Sequence, residues 1–150
     1  MRPPASQVLF GMFMRFTAMS EESADDFARG ELRILGIFAA LLGVEAERAA
    51  AVRVAEIEAL RPLLTRGVGV VPHELSAQLQ AALDETAGSG RPEELAVSAL
   101  EARMSRLQEG FVQLQAWLEE HAADDAAREL LADCWAELHA SVARKAFPLP

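Results

Sequence analysis

The chain of 150 residues has no tyrosine, one cysteine and only 6% aromatic residues. So few aromatics argue against a sheet-rich fold, because Tyr, Phe and Trp are favoured on pleated surfaces. A single cysteine, Cys134, excludes an intramolecular disulfide and a thiolate metal cage within one chain. It fits a reducing compartment, so a cytoplasmic location is expected. Lysine is nearly absent: Lys145 is the only one, and 14 basic residues face 23 acidic ones for a net charge of −9. That balance lacks the electrostatic footprint of a nucleic-acid binder, and no nucleic-acid partner is expected. Long apolar runs are missing too. The longest uncharged one spans 34–44, about half of the roughly 20 residues needed to cross a bilayer, so no transmembrane segment is expected. Arg15 interrupts the apolar stretch at 1–19 and no small-residue cleavage pattern follows, so this stretch reads as structure and not as a signal peptide.

What is abundant is alanine (29), leucine (20), Glu and Arg, the composition of long helices. The expected fold is all-α: an elongated, up-and-down antiparallel bundle of five or six helices forming one domain over 1–150, long enough to bury a core. A first helix spans 6–19 after Pro3-Pro4. Ser23 reads as an N-cap, with Asp26 suited to the positive end of a second helix over 24–42. Gly43 supplies a left-handed C-terminal position, and Glu45 and Glu47 open a third helix that reaches Leu60 or beyond. Pro62 ends or kinks it. The run 66–71 reads as a connector, and Pro72 opens a fourth helix to about Thr86. The Gly/Ser-rich stretch at 87–91 is the expected flexible break between halves. A fifth helix spans 93–121, and Asp124 caps a sixth that ends at Phe147-Pro148. At 1.5 Å per residue the fifth helix reaches about 44 Å, which is the reason to expect elongation.

The strongest pattern lies in that fifth helix. Val97, Leu100, Met104, Leu107, Phe111, Leu114, Leu118 and His121 alternate spacings of 3 and 4, a heptad seam. Two uses compete for it. It is a core stripe inside an antiparallel bundle, or Leu100, Met104, Leu107, Phe111 and Leu114 form a self-association seam that stays partly exposed within one chain. The sixth helix carries a broader stripe of Ala127, Leu131, Cys134, Leu138 and Val142, where Cys134 reads as a small buried hydrophobe. The second helix is apolar all round from Leu32 to Leu42, which marks a central element surrounded by others.

The first helix concentrates Phe10, Met12, Phe13, Met14 and Phe16, apolar in every direction. It suits burial on several sides or a subunit interface. A third use is a pocket for a small apolar or acyl-chain ligand, lined by Phe10, Phe13, Met14, Phe38 and Leu79 beneath a movable fourth helix. The cationic face of a helix lying in a membrane surface is absent.

Catalytic signatures are incomplete. No Glu-x-x-His or His-Glu-x-x-His spacing surrounds His73, His121 or His139, so neither a metal centre nor a cofactor is expected. The acids at 119–125 read as a solvated turn. The glycines of 66–71 lack the Lys-Ser/Thr ending of a phosphate loop, and no nucleophile elbow occurs. An enzyme would need at least two of Glu31, His73, His121 and His139 to share a cleft. The leading expectation is a non-enzymatic interaction protein, a small self-associating accessory subunit or adaptor with no catalytic residues. Its partner is a protein or a second copy, met through the Met/Phe-rich first helix, with Phe38 and Leu79, or through the fifth-helix seam.

Overall fold

The computed structural model describes residues 3–88 and 92–146. Among them are five α-helices: α1 (Ala5–Glu22), α2 (Asp26–Val68), α3 (His73–Glu85), α4 (Val97–Glu120) and α5 (Asp125–Lys145), with a 3-10 turn at Pro92–Leu95. No strand occurs among the described residues. The protein is all-α, with helices packed as in a bundle. It divides into two compact units, Met1–Ala49 and Ala50–Pro150. The division falls inside α2. Of the break expected at 87–91, residues 89–91 lie outside the described residues, as does the helix stop expected at Phe147-Pro148.

Two expected helices are one. α2 runs through Gly43 without a break and carries Pro62 in its interior. The glycine has a different use from the expected stop: a Cβ built on Gly43 would lie 3.4 Å from Leu9 Cβ and 3.5 Å from the Ser6 carbonyl oxygen, so it lets α1 approach closely. Pro62 removes the donor for the Glu58 carbonyl. Both positions are exposed, so water can take that donor's place. The 66–71 connector is also shorter than expected, since α2 extends to Val68 and the turn closes with Val70 N donating to Gly67 O at 2.9 Å.

The cap of α2 shifts by two residues from the expected Ser23. Asp25 Oδ1 accepts from Phe27 N at 3.0 Å, while Ser23 Oγ donates to the Asp25 carbonyl at 3.2 Å. Asp124 caps α5 as expected, accepting from Ala126 N and Ala127 N at 2.9 and 3.1 Å.

The second unit holds the main core. Ile57, Leu60 and Leu64 of α2 meet Leu79 and Leu83 of α3, the seam of α4, and Ala127, Leu130 and Cys134 of α5. Two glycines set the closest approaches. A Cβ on Gly67 would sit 2.7 Å from Leu114 Cδ2, and one on Gly110 would sit 3.4 Å from Leu79 Cδ2. The carbonyls orphaned at the end of α3 are taken by arginines from neighbouring helices. Arg61 Nη1 donates to Leu83 O and Thr86 Oγ1, each at 3.1 Å, and Arg103 Nη2 donates to Thr86 O at 2.8 Å.

Candidate functional site

The first unit is a two-helix hairpin, α1 followed by the part of α2 up to Ala49. Asp26 and the Ser23 carbonyl fix its turn, each accepting from the Arg29 guanidinium at 2.7 Å. The facing residues repeat with spacings of 4, 3 and 4 on both helices: Leu9, Phe13, Phe16 and Ser20 on α1, and Leu32, Gly36, Ala39 and Gly43 on α2. Large side chains on one helix meet small ones on the other, so the backbones approach closely. A Cβ on Gly36 would be 3.5 Å from both Phe13 Cδ2 and Phe16 Cβ. Ser20 is buried, its hydroxyl without a hydrogen-bond partner among the described residues.

A seam this narrow leaves most of each helix uncovered. Among the described residues, twelve of the seventeen exposed large hydrophobics belong to this hairpin, although it is only a third of the chain. Phe27 is 73% exposed, Phe10 59%, and Phe38 and Leu42 57% each. At 100° per residue, Leu35 and Leu42 lie on one flank of α2, Ile34 and Phe38 on its outer side, and Ile37 and Val44 on the other flank. This is the apolar circumference expected of a central helix, yet within the unit only α1 packs on it. No charge interrupts 34–44, and Arg15 is the only charged residue between 3 and 20.

Phe10, Met12, Met14 and Phe38, expected as contact residues, are exposed on this surface. Phe13 and Phe16 are half-buried and turned to Gly36. Leu79 corrects the expectation: it is fully buried in the second unit's core, against Gly67 and Gly110, and has no free surface for a ligand or partner. The self-association seam is corrected likewise. Leu100, Met104, Leu107, Phe111 and Leu114 are all buried within one chain, because α3 and α5 pack on α4 and Gly67 abuts Leu114. Ile34, Leu35, Ile37 and Leu42, whose all-round apolar pattern predicts a bundle interior, are exposed. The signal was present as all-round apolarity; what it lacks is any statement of how many neighbours the helix has.

The ionisable groups of the second unit are scattered or internally paired. His73 opens α3 and His139 stands exposed on α5. His121 stacks on Trp117 with ring centroids 4.1 Å apart, its Nδ1 2.8 Å from the Trp117 carbonyl oxygen. No group of three potential metal ligands occurs among the described residues. The richest polar cluster centres on buried Glu56. It accepts from Ser141 Oγ at 3.0 Å, Arg144 Nε at 3.0 Å and Lys145 Nζ at 2.7 Å, and Arg144 also pairs with Glu137. A cavity of about 110 Å³ beside it is lined by Gln108, Phe111 and Leu138 among others. Burial pushes the Glu56 carboxyl up, but the hydrogen bonds from Lys145, Ser141 and Arg144 outweigh it and hold the group below its ordinary value. Both oxygens are engaged by donors of the same unit, so the cluster clamps the end of α5 to α2.

Comparison of the chain with protein-family models, with curated proteins and with solved structures finds no match. No helix among the described residues is long and apolar enough to cross a membrane.

Proposed function

We propose that this is a non-enzymatic interaction protein, an accessory subunit or adaptor that meets its protein partner through the outward surface of the α1–α2 hairpin. The observation that supports this reading is the uncharged, solvent-facing 34–44 stretch of α2, together with Phe10, Met12 and Met14 of α1. Monomeric proteins rarely leave a contiguous apolar surface of this extent uncovered, and where they do it marks a contact site. Adaptable Met side chains and rigid Phe rings are the types enriched at the centres of such contacts. The second unit supplies the scaffold, with a core closed on itself and a buried carboxylate whose oxygens are engaged by Ser141, Arg144 and Lys145.

The test is a photo-crosslinking amino acid at Phe38 in cells making the full chain, with the same group at exposed Val112 as the reference. The reading expects a polypeptide adduct from position 38 well above that from position 112. Adducts to lipid alone, or equal yields at the two positions, overturn it.

A further inference from the structure

We infer that the occupant of the hairpin surface is a second copy of this chain, two hairpins closing a four-helix bundle around the 34–44 stretch of each α2. The inference rests on the reading of the hairpin as a contact surface and goes beyond it by naming the partner. Three observations lead to it.

The first is area. Large apolar and aromatic side chains present roughly 150–200 Å² each, and twelve of them about half exposed amount to about 1,000 Å² on one protomer. That sum, spread over the outer sides of both helices, exceeds the few hundred Å² a monomer ordinarily tolerates and is of the order of the roughly 800 Å² each partner contributes to a stable interface.

The second is shape. The exposed apolar arc of α2 runs from Leu35 and Leu42 across Phe38 to Ile37 and Val44. A second hairpin lays one further helix against α2 and one against α1, closing a four-helix bundle in which each helix has two neighbours.

The third is charge. In a two-fold interface the residues near the axis meet their own counterparts, so any charge there faces a like charge. A quarter of this chain's residues are charged and its net charge is −9, yet none of them falls in 34–44 or in 3–14. A partner of different sequence would tolerate complementary charges throughout the patch, whereas a copy of the same chain disfavours any charge close to the axis. A lipid surface fits less well, because the cationic flank that holds an interfacial helix on anionic headgroups is missing.

The experiment is sedimentation velocity of the full chain up to about 100 µM, a range that detects even weak dimers. The expected mass is twice the 16.3 kDa protomer. Phe38→Glu with Leu42→Glu returns the mass to one protomer, Val112→Glu leaves it doubled, and the milder Phe38→Ala weakens the dimer at least tenfold. Unchanged helicity by circular dichroism confirms that each variant is folded. A wild-type monomer across this range overturns the inference, as does a dimer indifferent to all hairpin substitutions. A monomer that still crosslinks a different polypeptide at position 38 refutes self-pairing while leaving the interaction reading standing. A monomer that instead floats with anionic phospholipid vesicles and gives no polypeptide adduct refutes both.

Discussion

Lys145 places its ammonium 2.7 Å from Oε2 of Glu56, so the chain's only lysine ties the last turn of α5 to a buried carboxylate of α2. Ser141 and Arg144, one turn and one residue before it, engage the same carboxylate. Three donors from one face of α5 thus converge on one acceptor. A buried charge with this many donors contributes through what its removal leaves behind: three polar groups without their acceptor.

Glu56→Gln keeps the shape of that acceptor and removes its charge. At neutral pH it should cost about 2 kcal/mol, in the range of hydrogen bonds to charged groups and less than a fully buried pair, since Lys145 and Arg144 remain partly solvated. The folded carboxyl is held below its ordinary value. Its contribution is therefore complete above the unfolded value of about 4.3 and is lost as pH falls through the folded value. Urea unfolding of the wild type and the variant should differ most at pH 7 and converge at acid pH. A gap of constant size would show that the charge plays no part.

Gly67 and Gly110 are both buried helical glycines, and they should respond differently to alanine. At Gly67 the new methyl would fall 2.7 and 2.8 Å from the two methyls of Leu114, a side chain with no exposed surface into which to retreat. Overpacking of this kind costs about 1–3 kcal/mol. At Gly110 the nearest atom is 3.4 Å away. There the gain of up to about 1 kcal/mol from replacing glycine inside a helix should offset the tighter contact. Thermal denaturation of the two variants side by side decides the matter, and a Gly67→Ala protein as stable as the wild type would contradict the packing described.

The helical class, the cap at Asp124 and the heptad seam of α4 were all legible in the sequence, because each depends on residues within one or two turns of each other. The continuity of α2 was not. Gly43 satisfies the local rule for a helix end, and only the Leu9 and Ser6 atoms of α1 against it reveal that the position serves a helix–helix contact instead. The same distinction separates the two apolar surfaces. Periodicity identifies a stripe, but whether the stripe is covered depends on how many helices surround it. The α4 seam is enclosed by its own chain, whereas α2 before residue 50 has one neighbour in its unit, so Leu100 and Phe111 are buried while Phe38 and Leu42 are exposed.

Cys134 should be inert in the folded protein. Burial pushes its thiol up to about 11, with Asp133 adding to the rise and Arg66 opposing it. The thiolate that would react is therefore scarce at pH 8, and the sulfur is also enclosed. A disulfide reagent such as Ellman's should label it only as fast as the protein opens, and added urea should raise the rate together with the unfolded fraction. Immediate labelling under native conditions would mean that the α5 face described here is open.

The hairpin seam yields a prediction that separates local from global stability. Gly36 and Gly43 admit Phe13, Phe16 and Leu9 at ordinary contact distance, whereas Gly11, on the same hairpin, has nothing within 4 Å of where its Cβ would lie. Leucine at either 36 or 43 needs space that α1 occupies, so the two helices must separate and the amides of α1 should lose protection from hydrogen exchange. Gly11→Ala meets no such obstacle and should gain up to about 1 kcal/mol of local helix stability. The amides around Leu107 and Leu114, in a core built without these residues, should exchange at wild-type rates in all three variants. Unaltered protection of α1 in Gly43→Leu would show that the close approach at Gly43 does not hold the hairpin together. Loss of protection throughout α4 would show that the two units unfold as one.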